Sequence, residues 1–220
     1  MAHLHQFALV LISAVALLAF PPQSVALFYD FEANKNWEQI NGTMEIEGGE
    51  LIVSGSDGVA VLPDADWKQQ WTDYTVEAKC SMAQGPDNMG VVVRYQDNGT
   101  YVIFAIMNGR QQAEIWTRNQ GNYVNNLNFA FPNKLETWYT IRVVVAGAEY
   151  AFYIDDELIG EWEDDTLKEG KVGVRTYAST SHFDDIRIFG EGIPSSPGEP
   201  GAAVDAHQKL AAAWAAIKRK

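Results

Sequence analysis

An all-β fold, an antiparallel two-sheet β-sandwich, follows from three features of the chain between Phe28 and Phe189. Short runs rich in β-branched and aromatic residues recur at close intervals. Turn-forming Gly, Asn and Asp pairs separate them, and before residue 200 no stretch sustains a helical period. At least ten such runs, each with a wet and a dry face, close as two packed layers or as a barrel.

Residues 1–26, "MAHLHQFALVLISAVALLAFPPQSVA", read as a secretory signal peptide. An apolar run from Phe7 to Phe20 precedes helix-breaking Pro21 and Pro22, and small Ser24 and Ala26 stand at the cleavage positions. The leading segment has His3 and His5 in place of Lys or Arg, and the run is shorter than the ~20 apolar residues a membrane span needs. The expectation is export, with a secreted or extracytoplasmic location and no membrane span in the mature chain.

Residues 27–190 carry the sandwich. In order, "ELIVSG", "GVAVLP", "YTVEAKC", "GVVVRYQ", "YVIFAIM", "AEIWTR", "WYTIRVVV", "YAFYID", "LIGEWE", "GKVGVRTY" and "HFDDIRIF" read as strands. Gly48-Gly49, Asp57-Gly58, Asp97-Asn98-Gly99, Asn108-Gly109 and Asp155-Asp156 read as the turns between them. Residues 191–203 read as a Pro/Gly/Ser linker. In the tail, residues 204–220, Leu210, Trp214 and Ile217 stand at helical spacing ahead of a basic end. That tail is either a short amphipathic signal read by secretion machinery or a frayed end.

Composition narrows the chemistry. The formal charge is −13, and setting aside the last thirty residues leaves 12 basic against 26 acidic groups in the body. Nucleic acid and anionic membrane are poor partners for such a surface. Cys80 is the only cysteine, so no internal disulfide forms, and its place with Tyr74, Val76 and Ala78 on one strand face marks it as a small buried hydrophobe. Past residue 26 the only histidines are His182 and His207, which removes most Ser-His-Asp, Cys-His and His-rich zinc arrangements.

The stretch "HFDDIRIFG", residues 182–190, conflicts with strict alternation, which would put Asp184 on the apolar side with Ile186 and Ile188. An unpartnered buried carboxylate is costly. Either a bulge at Asp184-Asp185 lets Phe183 and Ile186 both face inward, or the acids are neutralised by a partner. Arg187, Arg175 and Lys171 are candidate partners.

The runs "GVVVRYQDNGTYVIFAI", "AEIWTRNQG", "WYTIRVVVAGAEYAFYIDDELIGEWED" and "GKVGVRTYASTSHFDDIRI" resemble the concanavalin A-like lectin/glucanase superfamily. More closely, they resemble laminin G-like modules and the 3-keto-disaccharide hydrolase domain, over about residues 28–189. The resemblance implies a jelly roll with one glycan-cradling sheet and with first and last strands paired. It implies further that Asp30 and Glu32 meet Asp184 and Asp185 around a structural calcium ion, a hard cation that takes six to eight oxygens.

No E-x-D-x-E strand of the laminarinase type is present, and Glu161, Glu163, Asp155 and Glu157 read as solvated acids near turns, so no catalytic residue is assigned. His182 with its neighbouring acids is the only histidine-containing group a keto-sugar hydrolase or lyase could use. The polar strand faces are a better case. Alternation places Arg94, Trp116, Arg118, Arg142 and Arg175 away from the core, and Tyr123 and Asn108 stand in adjoining turns. Guanidinium forks and indole faces suit sugar hydroxyls, carboxylates or sulfates. The alternative is that Glu77 and Glu114 pair with these arginines across strands. Trp67 and Trp71 are either rim aromatics or part of a loop tucked over an edge. Asn41 and Asn98 lie in glycosylation sequons that serve equally as Asn-Gly turns. The resulting expectation is a secreted carbohydrate-binding or adhesion module for an extracellular glycan. A glycoside-processing enzyme and a passive structural domain are the alternatives.

Overall fold

The computed structural model describes residues 27–194 except 33–35, 69–70 and 191; the stretches read above as signal peptide and tail, and most of that read as linker, fall outside the described residues. Thirteen strands and no helix make up the described fold: β1 (Leu27–Tyr29), β2 (Glu38–Glu47), β3 (Glu50–Val61), β4 (Asp73–Gln84), β5 (Asn88–Asp97), β6 (Thr100–Met107), β7 (Gln112–Asn119), β8 (Asn122–Ala130), β9 (Trp138–Ala146), β10 (Glu149–Ile154), β11 (Glu157–Glu163), β12 (Lys171–Tyr177) and β13 (Ser179–Gly190). Among the described residues no helix is long and apolar enough to cross a membrane.

Every pairing is antiparallel, in the order β11-β10-β9-β4-β13-β3-β12-β5-β6-β7-β8, with β1 added to β13 and β2 to β3. β3 joins the two layers. Residues 51–55 pair with β13, while residues 58–61 pair with β12, so one strand serves both sheets. The layers then face each other across the core. Phe104 of β6 meets Phe152 of β10 edge-on at 5.4 Å between ring centroids and Tyr150 at 5.9 Å. At the far edge β8 and β11 close together, and the Phe129 ring occupies the space beside Gly160 that a side chain would need.

Alternation builds the main core. Tyr74, Val76, Ala78 and Cys80 of β4 and Ile141, Val143 and Val145 of β9 all point inward. Burial pushes the Cys80 thiol pKa up and keeps it protonated, as a small core hydrophobe. β5 and β6 are buried on both faces. Their other side carries a second apolar cluster of Val59, Val61, Val92, Tyr95, Tyr101, Ile103, Ala105 and Met107. A sheet center buried on both faces needs a covering layer on its outer side, and the side chains that supply it form the site described below.

β13 breaks register between Asp184 and Arg187, with Asp185 at φ 48°. This bulge brings Phe183 and Ile186 both fully inside. Asp184 accepts the Asp185 amide N–H at 2.6 Å, and Lys79 Nζ lies 2.5 Å from Asp185 Oδ2. The terminal strands do pair, Tyr29 opposite Ile186, but pairing stops there. Phe31 takes φ 56° and inserts into the core, Asp30 turns back on the Glu32 amide, and the Glu32 carboxylate packs at Gly49 in the β2–β3 turn. Asp30, Glu32, Asp184 and Asp185 take these separate contacts, and among the described residues no three His, Cys, Asp or Glu side chains converge as metal ligands. The ammonium group of Lys79 partners Asp185.

Candidate functional site

The outer face of β12-β5-β6-β7-β8 is ordered by register. One row across the strands runs Arg175, Gly90, Ala105, Glu114, Asn128. The row on one side is Tyr177, Asn88, Met107, and on the other Val92, Ile103, Trp116, Asn125. Gly90 and Ala105 are the two smallest members and lie between larger neighbours, so the middle of the face is hollow. The hollow is a cleft of about 200 Å³. Ile103 and Met107 form its apolar floor, Trp116, Tyr123 and Tyr177 its aromatic walls, and Asp87, Asn88, Arg110 and Arg175 its polar rim.

Two carboxylates organise the arginines. Asp57 Oδ1 accepts from Arg175 Nη2 at 2.8 Å and Nε at 3.1 Å, and Asp57 Oδ2 accepts from Arg118 Nη1 at 3.1 Å. Arg118 also donates to the Tyr101 hydroxyl at 3.0 Å, and Arg175 to Asn88 Oδ1 at 3.0 Å and the Tyr123 hydroxyl at 3.2 Å. The Tyr123 ring lies against both guanidinia, 4.7 Å from Arg118 and 5.5 Å from Arg175. Burial raises the Tyr123 phenol pKa against the pull of Arg175, so it stays a neutral hydroxyl that both gives and accepts hydrogen bonds.

Glu114 is fully buried. Its Oε2 accepts from Trp116 Nε1 at 2.6 Å, from Asn125 at 3.2 Å and from Arg110 Nη2 at 3.2 Å. Its Oε1 faces Arg110 Nε at 3.2 Å without the alignment of a hydrogen bond, which leaves that oxygen short of a partner. The Trp116 indole is thus pinned by its ring N–H, and its plane is fixed before any ligand arrives.

Of the residues singled out in the sequence, Trp116, Arg118, Arg175 and Tyr123 come together here. Arg94, Arg142 and Asn108 do not. Arg94 sits at a bulge in β5 with φ 55°, which reverses the alternation and sends its side chain, fully buried, into the core side. There it donates to the carbonyls of Lys168, Thr72 and Gly147. Arg142 lies on the other sheet, paired with Asp156 and Glu77 and stacked on Tyr153. Asn108 is a turn brace, donating to Gly85 and accepting from Asn133. His182 is bonded to Glu50 at 2.6 Å and does not line the cleft. Trp71 is buried and Trp67 packs on the core, and neither lines the cleft. Asp57, Asn88, Tyr101, Arg110 and Tyr177 were not singled out as site residues. The same-face alternation of Tyr177 with Arg175 was legible; the position of Asp57 was hidden by its Asp-Gly turn signature.

Among solved structures the chain is similar to the carbohydrate binding module CBM66 from Bacillus subtilis, at TM-score 0.65 and 16% identity, covering 71% of this chain and 96% of that one. It is also similar to the Bacillus licheniformis beta-glucanase, at TM-score 0.57 and 9% identity, covering 76% and 99%. A xylan beta-1,4-xylosidase from Bacillus halodurans matches at TM-score 0.57 and 16% identity over 74% of this chain, which spans only 39% of that enzyme. At these identities the likeness is one of fold. No curated protein matches the sequence. Residues 24–189 match the 3-keto-alpha-glucoside-1,2-lyase-like domain, and the chain belongs to that family.

Proposed function

We propose that the chain is an exported module that binds a saccharide in the cleft between Trp116, Tyr123 and Tyr177. The observation that carries this reading is the pre-set layer itself. An indole fixed by Glu114 and a phenol held between two guanidinia stand over an apolar floor, with polar groups at the rim. Sugar rings offer apolar C–H faces to aromatic plates and hydroxyls to a polar rim. The likeness of fold to a carbohydrate binding module and the family match support the reading. The apolar leader ending at Ala26 supports export.

Calorimetric titration with a panel of neutral and acidic oligosaccharides tests it. Saturable binding is expected, and Trp116→Ala and Tyr177→Ala should each weaken it about tenfold or more, the scale of an aromatic anchor in an interface. Unchanged affinity in both variants would place the site elsewhere.

The family description favours a second reading, a lyase acting on 3-keto-glucosides. Such a reaction needs a base at the carbon beside the keto group. Release of the aglycone from a 3-keto-glucoside would establish it, whereas binding without turnover would leave the first reading standing.

A further inference from the structure

We propose that Asp87 is the specificity-determining residue of the cleft, accepting hydrogen bonds from adjacent sugar hydroxyls and selecting uncharged sugars over sugar acids. The inference rests on the saccharide reading of the cleft and deepens it.

Two guanidinia line the cleft, those of Arg110 and Arg175, and Arg118 stands behind them against Tyr123, but none is a free cation. Asp57 takes both Arg118 and Arg175, and Glu114 takes Arg110. Asp87 is the third carboxylate, and it lines the cleft. Among the described residues no Lys, Arg or His forms an ion pair with it. Counting Asp87, three positive charges meet three negative ones, so an incoming carboxylate or sulfate would find no net positive charge.

The position of Asp87 is held from three directions. Its amide N–H donates to Ser179 Oγ at 3.3 Å, and its carbonyl accepts from the Asn108 amide at 2.7 Å. Its Oδ1 accepts from Asn88 Nδ2 at 3.2 Å. Asn88 is oriented in turn because its own oxygen accepts from Arg175 Nη1, and Arg175 is fixed by Asp57. A relay of hydrogen bonds from Asp57 through Arg175 and Asn88 thus ends on Asp87. Asp87 lines the cleft beside Tyr177 and Trp116 and keeps acceptor capacity beyond the Asn88 bond. Two neighbouring hydroxyls can donate to the two oxygens of one carboxylate, whereas a sugar's own carboxylate placed beside it meets a charge of its own sign.

The test is calorimetric titration of the intact chain with gluco- and manno-oligosaccharides and with their uronic-acid counterparts. Wild type should bind a neutral sugar at least tenfold tighter than its acid counterpart. Asp87→Asn, which keeps the Oδ1 acceptor for Asn88, should lower neutral-sugar affinity about tenfold and narrow that discrimination. Preference for the uronic acids would overturn the proposal, as would neutral-sugar binding unchanged in Asp87→Asn. Binding that Trp116→Ala abolishes and Asp87→Asn leaves intact would overturn the role of Asp87 and keep the cleft. Failure of every saccharide to bind would overturn both.

Discussion

Asp57 and Arg175 form the center of the outer sheet face: one carboxylate oxygen accepts from both Nη2 and Nε of the guanidinium, at 2.8 and 3.1 Å. The Arg175 side chain keeps only 4% exposure, so it depends on that partner for its charge. Asp57→Ala should therefore destabilise the fold on the order of 2–3 kcal/mol, less than the ~3–5 of a fully buried pair because Asp57 retains some solvent. For a chain of this size that is a fall in Tm of about 5–10 °C. Asp57→Asn, which still accepts a hydrogen bond, should lose less. A thermal melt of the two variants checks the order, and equal melts for wild type and Asp57→Ala would contradict it.

Arg94 and Arg142 offer a contrast between two arginines that look alike in sequence. Arg94 holds the carbonyls of Lys168, Thr72 and Gly147, three separate loops, from inside the core. Arg94→Met leaves those oxygens without their donor and should cost about 3 kcal/mol or more. Arg142 pairs with the largely exposed Asp156, and Arg142→Ala should cost no more than ~1 kcal/mol. Urea unfolding of both variants measures the difference. A reversed order would mean that the buried guanidinium is not the clamp its contacts describe.

These two residues also show where sequence reading succeeds and where it stops. Antiparallel pairing and the core faces of β4 and β9 follow from period-two alternation and turn residues, whereas the eleven runs omit β1, β2 and β8 and split β3 in two. The grouping of Glu114, Trp116 and Arg118 on one face was legible for the same reason. The bulge at Asp184-Asp185 was legible too, because Phe183 and Ile186 both demand the interior. At Arg94 nothing in "GVVVRYQ" marks the bulge, and alternation carried past it assigns the wrong face. Asp57 was taken as half of a turn, yet it lies in β3 where that strand passes from one sheet to the other. That crossing is a property of strand order, which no single run encodes.

Phe129 and Gly160 close the seam between the edge strands β8 and β11. A Cβ on Gly160 would stand 2.1 Å from Phe129 Cζ, so Gly160→Ala must displace the ring. The expected cost is about 1–3 kcal/mol, as for other overpacked sites. Phe129→Leu should recover part of it in the double variant, because the two changes share one space. Additive losses across the cycle would show that the ring has room to move aside.

Asp184 links the bulge to pH. Burial raises its pKa; the Asp185 amide and Lys79 pull it down, while the Asp185 and Glu50 carboxylates add to the rise. An acid whose folded pKa is raised contributes stability that is fully present below its unfolded value, about 4, and is lost as pH rises through the folded value. At neutral pH the ionised carboxylate is therefore a liability. Asp184→Asn keeps an oxygen for the Asp185 amide and removes the charge, so it should raise Tm slightly at pH 7, by about 1 °C. The gain should shrink toward zero as pH falls below 4. Melts of the two proteins across that range decide the matter: a lower Tm for the variant at pH 7 would mean that Lys79 holds the ionised form more strongly than burial opposes it.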